Sequence, residues 1–164
     1  MENKTATETL VITPEALLKH WQGHRSLTRR VIDAFPEKDL FAFSIGGMRT
    51  FAAMAMELIG IAGEGIKGVA NGQWGKPAYL DPGAGPTTKQ GLLDLWDEVT
   101  QTIETYWPQI KPGRFQEIDR AFGQYENHIY GSLLYFIDNE IHHRGEGYVY
   151  LRALGIEPPY FWER

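Results

Sequence analysis

A cluster of polar side chains lies late in the chain, between Asn139 and Glu146, in a segment otherwise rich in Leu, Ile, Phe and Tyr. The apolar content favours a helix packed against a core. Asn139 and His143 are four positions apart, and Glu140 and His143 three apart, so either pair would project from one face of that helix. Such side chains can bind a metal ion or transfer protons. Adjacent residues on a helix point about 100° apart, so we do not expect His142 to share an ion with His143.

A second polar anomaly is Glu57, the only charged residue between Arg49 and Glu64. Its neighbours are Met, Ala, Leu and Ile, so at helical spacing it borders a buried face. A buried carboxylate without a partner is unfavourable, and a partner is therefore expected. The more ordinary interpretation is an ion pair with an arginine such as Arg144. The other interpretation is a metal ligand or catalytic carboxylate that meets the late cluster across a helix bundle. The residues alone leave both open.

The other histidines carry weaker signals. His20 and His24 are four apart, which permits a two-histidine metal site, but this spacing alone is weakly specific. We expect His20 on the solvent side and His24 near the edge of the core beside Trp21. His128 is expected to be a partly exposed hydrogen-bonding residue.

Composition excludes several classes of function. The chain has 164 residues, which predicts one domain over 1–164. The net charge is −5 without a block of Lys and Arg, which argues against nucleic acid as a partner. The absence of cysteine excludes disulfides and cysteine-type zinc sites. No apolar run approaches the ~20 residues that span a bilayer, and Met1 to Leu10 is too polar for a secretory signal, so we expect a cytoplasmic protein without membrane association.

Helical periodicity and capping signals predict an all-α four-helix bundle. Thr13 and Pro14 mark a helix start, Thr87 or Thr88 another, and Gly155 a helix end. Residues 1–12 are expected to be a loose, partly extended arm, 70–86 a long loop that is mobile or functional, and 114–124 a short helix or an extended segment. The aromatic tail at 158–162 is expected to pack back on the body. The predicted helices cover residues 14–35, 48–69, 88–107 and 127–154.

Two segments resemble the DinB/YfiT-like family of four-helix bundles. The sequence HHRGEGYVYLRALGIEPP, residues 142–159, is similar to the family's ending, which reads H-x-x-H-H-R-G-Q followed by Leu-Arg-x-x-Gly and Pro-Pro. The sequence MRTFAAMAMELIGIAGEGIKGV, residues 48–69, resembles the family's second helix, which usually carries one histidine. The resemblance extends from the first helix to the tail.

This resemblance implies a fold and a range of functions. Family members bind a divalent ion, nickel or zinc, among three histidines inside the bundle. Members with known activity include transferases and isomerases that use low-molecular-weight thiols, and dimers are common. The family's name reflects induction by DNA damage. The resemblance therefore implies a metal-dependent enzyme of hydrolase or thiol-transferase type, a small-molecule substrate and a homodimer.

Carried over by position, the family's site is altered in this chain. His143 matches the last histidine, Asn139 replaces the histidine four residues earlier, and Glu57 replaces the one on the second helix. Glu146 replaces the glutamine after Arg-Gly. The resemblance thus implies metal ligands at Glu57, Asn139 and His143, with Glu57 and His143 as the catalytic pair and Glu140 as a further oxygen donor.

Fewer imidazoles would bind zinc or nickel less tightly. Alternatively the metal is lost, and Glu57 pairs with His143 as an imidazolium that does acid–base work. A further alternative is a non-catalytic, metal-free dimer that binds a ligand or acts in stress response.

Overall fold

The structure, a computed structural model, describes residues 11–77 and 85–164. Four long helices form the bundle, which confirms the predicted all-α architecture. Helices α1 and α3 lie diagonally, and each packs against both α4 and α5. A short helix α2 and a two-stranded hairpin complete the fold. The elements are α1 (Pro14–Ala34), α2 (Glu37–Ala42), α3 (Phe51–Asn71), α4 (Lys89–Tyr106), β1 (Ile118–Ala121), β2 (Tyr125–His128) and α5 (Ile129–Ala153), with 3-10 turns at Trp107–Gln109 and Pro112–Gln116.

Local capping explains most helix ends. The Thr13 hydroxyl accepts a hydrogen bond from the Ala16 amide at 3.1 Å, and Thr88 caps α4 in the same way, as the sequence predicts. At the end of α5, Gly155 has a φ of 76°. The amide of Ile156 there donates to the carbonyl of Leu151 at 2.9 Å, which is the Schellman arrangement that favours glycine.

The structure differs from the predicted elements in three places. Helix α3 begins at Phe51 instead of Met48, because the two preceding glycines have φ of 60° and 78° and Thr50 is the N-cap. Helix α2 occupies a segment predicted as a connection. Residues 114–124, predicted as a short helix or an extended segment, contain the end of a 3-10 turn and strand β1; the antiparallel pairing of β1 with β2, with Ile118 opposite His128, was not predicted. Both strands are largely exposed, so the alternation of apolar residues that identifies a strand is missing.

The termini and the long loop are only partly described. Most of the predicted N-terminal arm and residues 78–84 of the predicted loop lie outside the described residues. The tail does lie against the body, since Pro158 is buried and Arg164 contacts His24, but the rings of Tyr160, Phe161 and Trp162 are exposed. An ion pair of Arg30 with Glu163, at 3.4 Å, attaches the tail to α1. Within the two described ranges, no helix is long and apolar enough to cross a membrane.

A network of buried charges joins α1 to α5. Glu140 is 2% exposed, and its Oε1 accepts a 2.6 Å hydrogen bond from the Thr28 hydroxyl. Arg25 and Arg144 each approach the same carboxylate at 3.8 Å. Arg144 also donates from Nη2 to Nδ1 of His24 at 2.9 Å. Breaking such a buried network would leave charges without partners, so it fixes the packing of α5 against α1.

His24 is neutral in this network. Burial, together with the positive charge of Arg144, lowers the pKa of His24 from 6.5 to about 3. Nδ1 of His24 lies 2.9 Å from Nη2 of Arg144, and its Nε2 lies 3.1 Å from both Nη1 of Arg164 and Nε2 of His20. Two guanidinium groups against the ring disfavour a metal cation there, so His24 is a core residue. The exposed His20 and buried His24 confirm the predicted placement.

The lowered pKa of His24 makes folding stability depend on pH. Between pH 6.5 and about 3 the unfolded chain binds a proton that the folded chain does not. The free energy of unfolding therefore falls as the pH drops through this window, by at most about 1.4 kcal/mol per pH unit. In His24→Asn the amide oxygen can still accept from Arg144, and the slope that His24 contributes disappears. Urea unfolding at a series of pH values measures the difference. His20→Asn is the matched control and should keep the wild-type slope; a wild-type slope in His24→Asn would contradict this account.

Candidate functional site

Helices α3 and α5 bring together three of the predicted site residues. Oε1 of Glu57 accepts a hydrogen bond from Nδ2 of Asn139 at 3.2 Å and lies 3.2 Å from Nε2 of His143. The Glu57 side chain is 16% exposed and that of His143 9% exposed. Asn139 and His143 are one turn apart on α5, so both reach the same carboxylate. Their roles as metal ligands or catalytic groups stay a prediction at this point.

His143 lies between two carboxylates. Its Nδ1 is 2.6 Å from Oε2 of Glu146, and its Nε2 faces Glu57. An ionised carboxylate only accepts hydrogen bonds, so the short contact puts a proton on Nδ1. A neutral ring would then turn the lone pair of Nε2 toward an oxygen of Glu57. Two acceptors 3.2 Å apart repel each other, and the contact is favourable only if a cation lies between them: a proton, which makes His143 an imidazolium, or a metal ion.

The geometry of these donors fits a divalent ion. Ligand atoms each about 2.1 Å from zinc and 3.2 Å apart subtend an angle of about 100°, close to tetrahedral. Rotation of the Asn139 amide by 180° would present its oxygen in place of its nitrogen. Glu146 accepts from the other nitrogen of His143, which is the usual outer partner of a metal-binding histidine. Three ligands would leave one position open, as in catalytic zinc sites.

Arg49 is the cationic partner of Glu57. Its Nη1 lies 2.6 Å from Oε2 of Glu57. Burial opposes ionisation of Glu57, but the hydrogen bonds from Arg49 and Asn139 hold its pKa below the ordinary value. The expectation of an arginine partner is therefore correct, although the arginine is Arg49 and not Arg144. The predicted helix over 48–69 puts Arg49 more than two turns from Glu57, so no pairing was expected; in the structure α3 begins at Phe51, and Arg49 lies before it.

Glu140 is not part of this site. It points toward α1 and is held by Thr28, Arg25 and Arg144, so its prediction as a further oxygen donor is wrong. Glu140 follows Asn139 directly and is turned about 100° from it around the helix. The spacing of three from His143 allowed a shared face, but the charged partners on α1 draw Glu140 to the other side.

His142 lies at the rim of the site, with its side chain 66% exposed. Its Nε2 is 3.7 Å from Oε1 of Glu146, whose other oxygen contacts His143. The potential ligand atoms of His142, His143 and Glu146 lie within 4.8 Å of one another. Adjacent helix positions point about 100° apart, but the side chain of Glu146 lies beside both histidine rings. The two rings are therefore closer together than expected from the sequence.

A cavity of about 420 Å³ opens onto Glu57. The hairpin forms one wall, and α3 and α5 form the others, so the site is accessible to a small molecule. Most of its lining is apolar or aromatic, with a few polar groups, as in many ligand pockets. The lining residues are Glu57, Ile61, Ala121, Phe122, Tyr125, Glu126, Asn127, Ser132, Tyr135 and Phe136.

Several solved structures share the fold. A DinB-like protein from Bacillus cereus ATCC 10987 has a TM-score of 0.74 at 18% identity, covering 90% of this chain and 97% of that one. A DinB-like protein from Bacillus subtilis has a TM-score of 0.71 at 15% identity, covering 90% and 99%. A mycothiol-dependent maleylpyruvate isomerase has a TM-score of 0.59 at 14% identity, covering 81% of this chain and 60% of the isomerase. At these identities the likeness shows the fold alone.

The family itself is shown by sequence. No functionally curated protein matches the chain. The sequence pattern of the DinB family, however, matches residues 1–163, which is nearly the whole length and includes both segments that suggested the resemblance. The chain therefore belongs to the DinB family.

Proposed function

We propose that the protein is a metal-dependent enzyme of hydrolase or thiol-dependent transferase type, with its site at Glu57, Asn139 and His143. The observation that carries the proposal is the pair of contacts made by His143. Glu146 fixes the proton on Nδ1, and Nε2 faces an oxygen of Glu57 at 3.2 Å. With the proton on Nδ1, a cation between Nε2 and Oε1 makes their contact favourable, and a divalent ion such as Ni²⁺ or Zn²⁺ can supply it.

Each residue of the site has a distinct role in this proposal. His143 would bind the ion through Nε2, and Glu146 holds the ring in the orientation that this needs. Glu57 would bind through Oε1, while Arg49 keeps that carboxylate ionised by its contact with Oε2. Asn139 would contribute its amide oxygen. When bound, such an ion supplies a Lewis acid that lowers the pKa of a thiol or water molecule beside it.

The mycothiol-dependent isomerase that shares the fold supports a thiol as a co-substrate. The cavity beside Glu57 is large enough for a small organic substrate. Its aromatic walls from the hairpin and α5 would exclude water from the reacting groups, which strengthens their electrostatic interactions. The homodimer and the cytoplasmic location stay predictions.

A metal-free alternative is favoured by one observation. If His143 is an imidazolium, both ring nitrogens donate to carboxylates, and Glu57 is also paired with Arg49. Every charged group of the site then has a partner. In that state Glu57 and His143 could exchange a proton with a ligand, or the protein could be a non-catalytic ligand-binding or stress-response module. Metal content separates these alternatives from the proposal.

Removal of the His143 imidazole tests the site directly. Untagged wild-type protein incubated with Zn²⁺ or Ni²⁺ and then gel-filtered should retain about one ion per chain. His143→Ala should retain almost none, because it loses the imidazole ligand. Elemental analysis gives the metal content. His20→Ala is the matched control, since it removes an exposed imidazole on α1, and it should bind as wild type does. Equal metal content in His143→Ala and wild type would show that this site does not bind the ion.

Restoring a family histidine should strengthen the site. In Asn139→His an imidazole replaces an amide, which is a poor ligand for zinc and nickel. The affinity for Zn²⁺ should rise at least about tenfold, as measured by competition with a chromophoric chelator. Gln90→His, on the exposed side of α4, adds a histidine far from the site and should leave the affinity unchanged. If Asn139→His binds Zn²⁺ no more tightly than Gln90→His does, the side chain at position 139 does not contact the ion.

A further inference from the structure

The cavity that opens onto Glu57 extends along α5 toward the start of that helix. Asn139, which contacts Glu57, and Ser132, which lines the same cavity, are seven residues apart on α5. Two positions seven apart lie on one face of a helix, about 10 Å from each other along its axis. The cavity therefore has a site end at Glu57 and a distal end at Ser132.

The hydroxyl at the distal end has no partner within the protein. Ser132 is only 5% exposed, and its hydroxyl makes no hydrogen bond to any residue that the structure describes. Its oxygen is nevertheless not sealed off from solvent, and the residue lines the cavity. Polar groups that are this deeply enclosed normally have a partner, so the hydroxyl is placed to bind a molecule that enters the cavity.

Asn127 adds an amide to the distal end. Its Oδ1 accepts a hydrogen bond from the backbone amide of His128 at 2.8 Å. Its side chain lies over Gly131, where a Cβ would come within 2.6 Å of that oxygen, so the glycine leaves room for Asn127 next to Ser132. The Nδ2 group of Asn127 is left to donate, and the serine hydroxyl can also donate. Two such donors suit a carbonyl oxygen.

The charged groups that line the cavity are already paired. Oε2 of Glu57 contacts Arg49 at 2.6 Å, and Oε1 contacts His143. Glu126 pairs with Arg120 at 3.2 Å. No lysine or arginine is among the described residues that line the cavity. A metal ion at Glu57 would add charge only at the site end. A charged group on a ligand would lose its hydration at the distal end without gaining a free partner of opposite sign, which is unfavourable.

Aromatic rings form the wall between the two ends. Phe122 and Phe136 both line the cavity, with 6.1 Å between their ring centroids. Phe122 has a φ of 53° in the turn between β1 and β2, a left-handed conformation that is unfavourable for a bulky residue. The place of its ring in this wall compensates for that conformation. Such rings pack well against another flat aromatic body.

We propose that the cavity takes an uncharged aromatic compound that carries a carbonyl or amide group about 10 Å from its reacting end. This substrate class rests on the proposed function, which puts the reacting end at Glu57. The carbonyl oxygen would accept hydrogen bonds from Ser132 and Asn127. The ring of the compound would lie against Phe122 and Phe136.

Equilibrium dialysis of metal-free, full-length protein at pH 7 against three compounds of one shape tests the proposal. Cinnamamide is uncharged, cinnamate is an anion and cinnamylamine is a cation. Cinnamamide should bind at least about tenfold more tightly than either ion, because neither ion finds a free partner for its charge.

Ser132→Ala should weaken the binding of cinnamamide about fivefold, since it removes one hydrogen bond. The same variant should bind 1-phenylpropene, which has the ring but no amide, as wild type does, and this also shows that the cavity is intact. Ser26→Ala removes an exposed hydroxyl on α1 and is the matched control, with wild-type affinity for both compounds.

Three outcomes would overturn the proposal: no binding of cinnamamide, equally tight binding of either ion, or a Ser132→Ala variant that binds cinnamamide as wild type does or loses both compounds alike. Metal content is measured separately. Protein that binds cinnamamide but retains no metal ion would contradict the proposed function alone. Protein that retains one ion and binds no cinnamamide would contradict only the substrate class.

Discussion

The contact of His143 with two carboxylates governs the chemistry of the site. Glu146 accepts the hydrogen bond of Nδ1 at 2.6 Å, and this leaves Nε2 directed at Glu57 across the gap between α5 and α3. Two acceptors 3.2 Å apart repel each other unless a cation lies between them. The choice between a proton and a metal ion therefore decides whether the site does acid–base or metal-dependent chemistry. Arg49 adds to this constraint, because it keeps Glu57 ionised in either case.

Helix α5 presents different chemistry to three different neighbours. Asn139 and His143 face α3, Glu140 and Arg144 face α1, and Tyr148 and Arg152 line a cleft beside the C-terminal segment. This distribution explains why the sequence of α5 is so polar for a helix of a bundle. The buried network with α1 fixes the rotation of α5 about its axis. Since that rotation directs His143 toward Glu57, the network positions the site without touching it.

The sequence predicts the features that depend on local rules. Thr13 and Gly155 are recognisable because capping needs particular residue types at single positions. Helical spacing and the cost of burying a carboxylate allow Glu57 to meet His143 together with either Asn139 or Glu140, and the family resemblance selects Asn139. The direction of Glu140 was not predictable, because its spacing suits either side of α5 and only the charged partners on α1 decide between them. The pairing of β1 with β2 was missed because the exposed strands have no apolar alternation. The contact of Arg49 was missed because the predicted helix over 48–69 puts it more than two turns from Glu57.

The state of the His143 ring tests the central claim most directly. Nitrogen-15 NMR of the imidazole reports which nitrogen carries a proton. Without metal, the account predicts an imidazolium, with protons on both Nδ1 and Nε2. On addition of Zn²⁺ it predicts that Nε2 loses its proton while Nδ1 keeps the one shared with Glu146, since a histidine must be deprotonated at the nitrogen that binds a metal. Signals of both ring nitrogens that do not change with saturating Zn²⁺ would contradict the account.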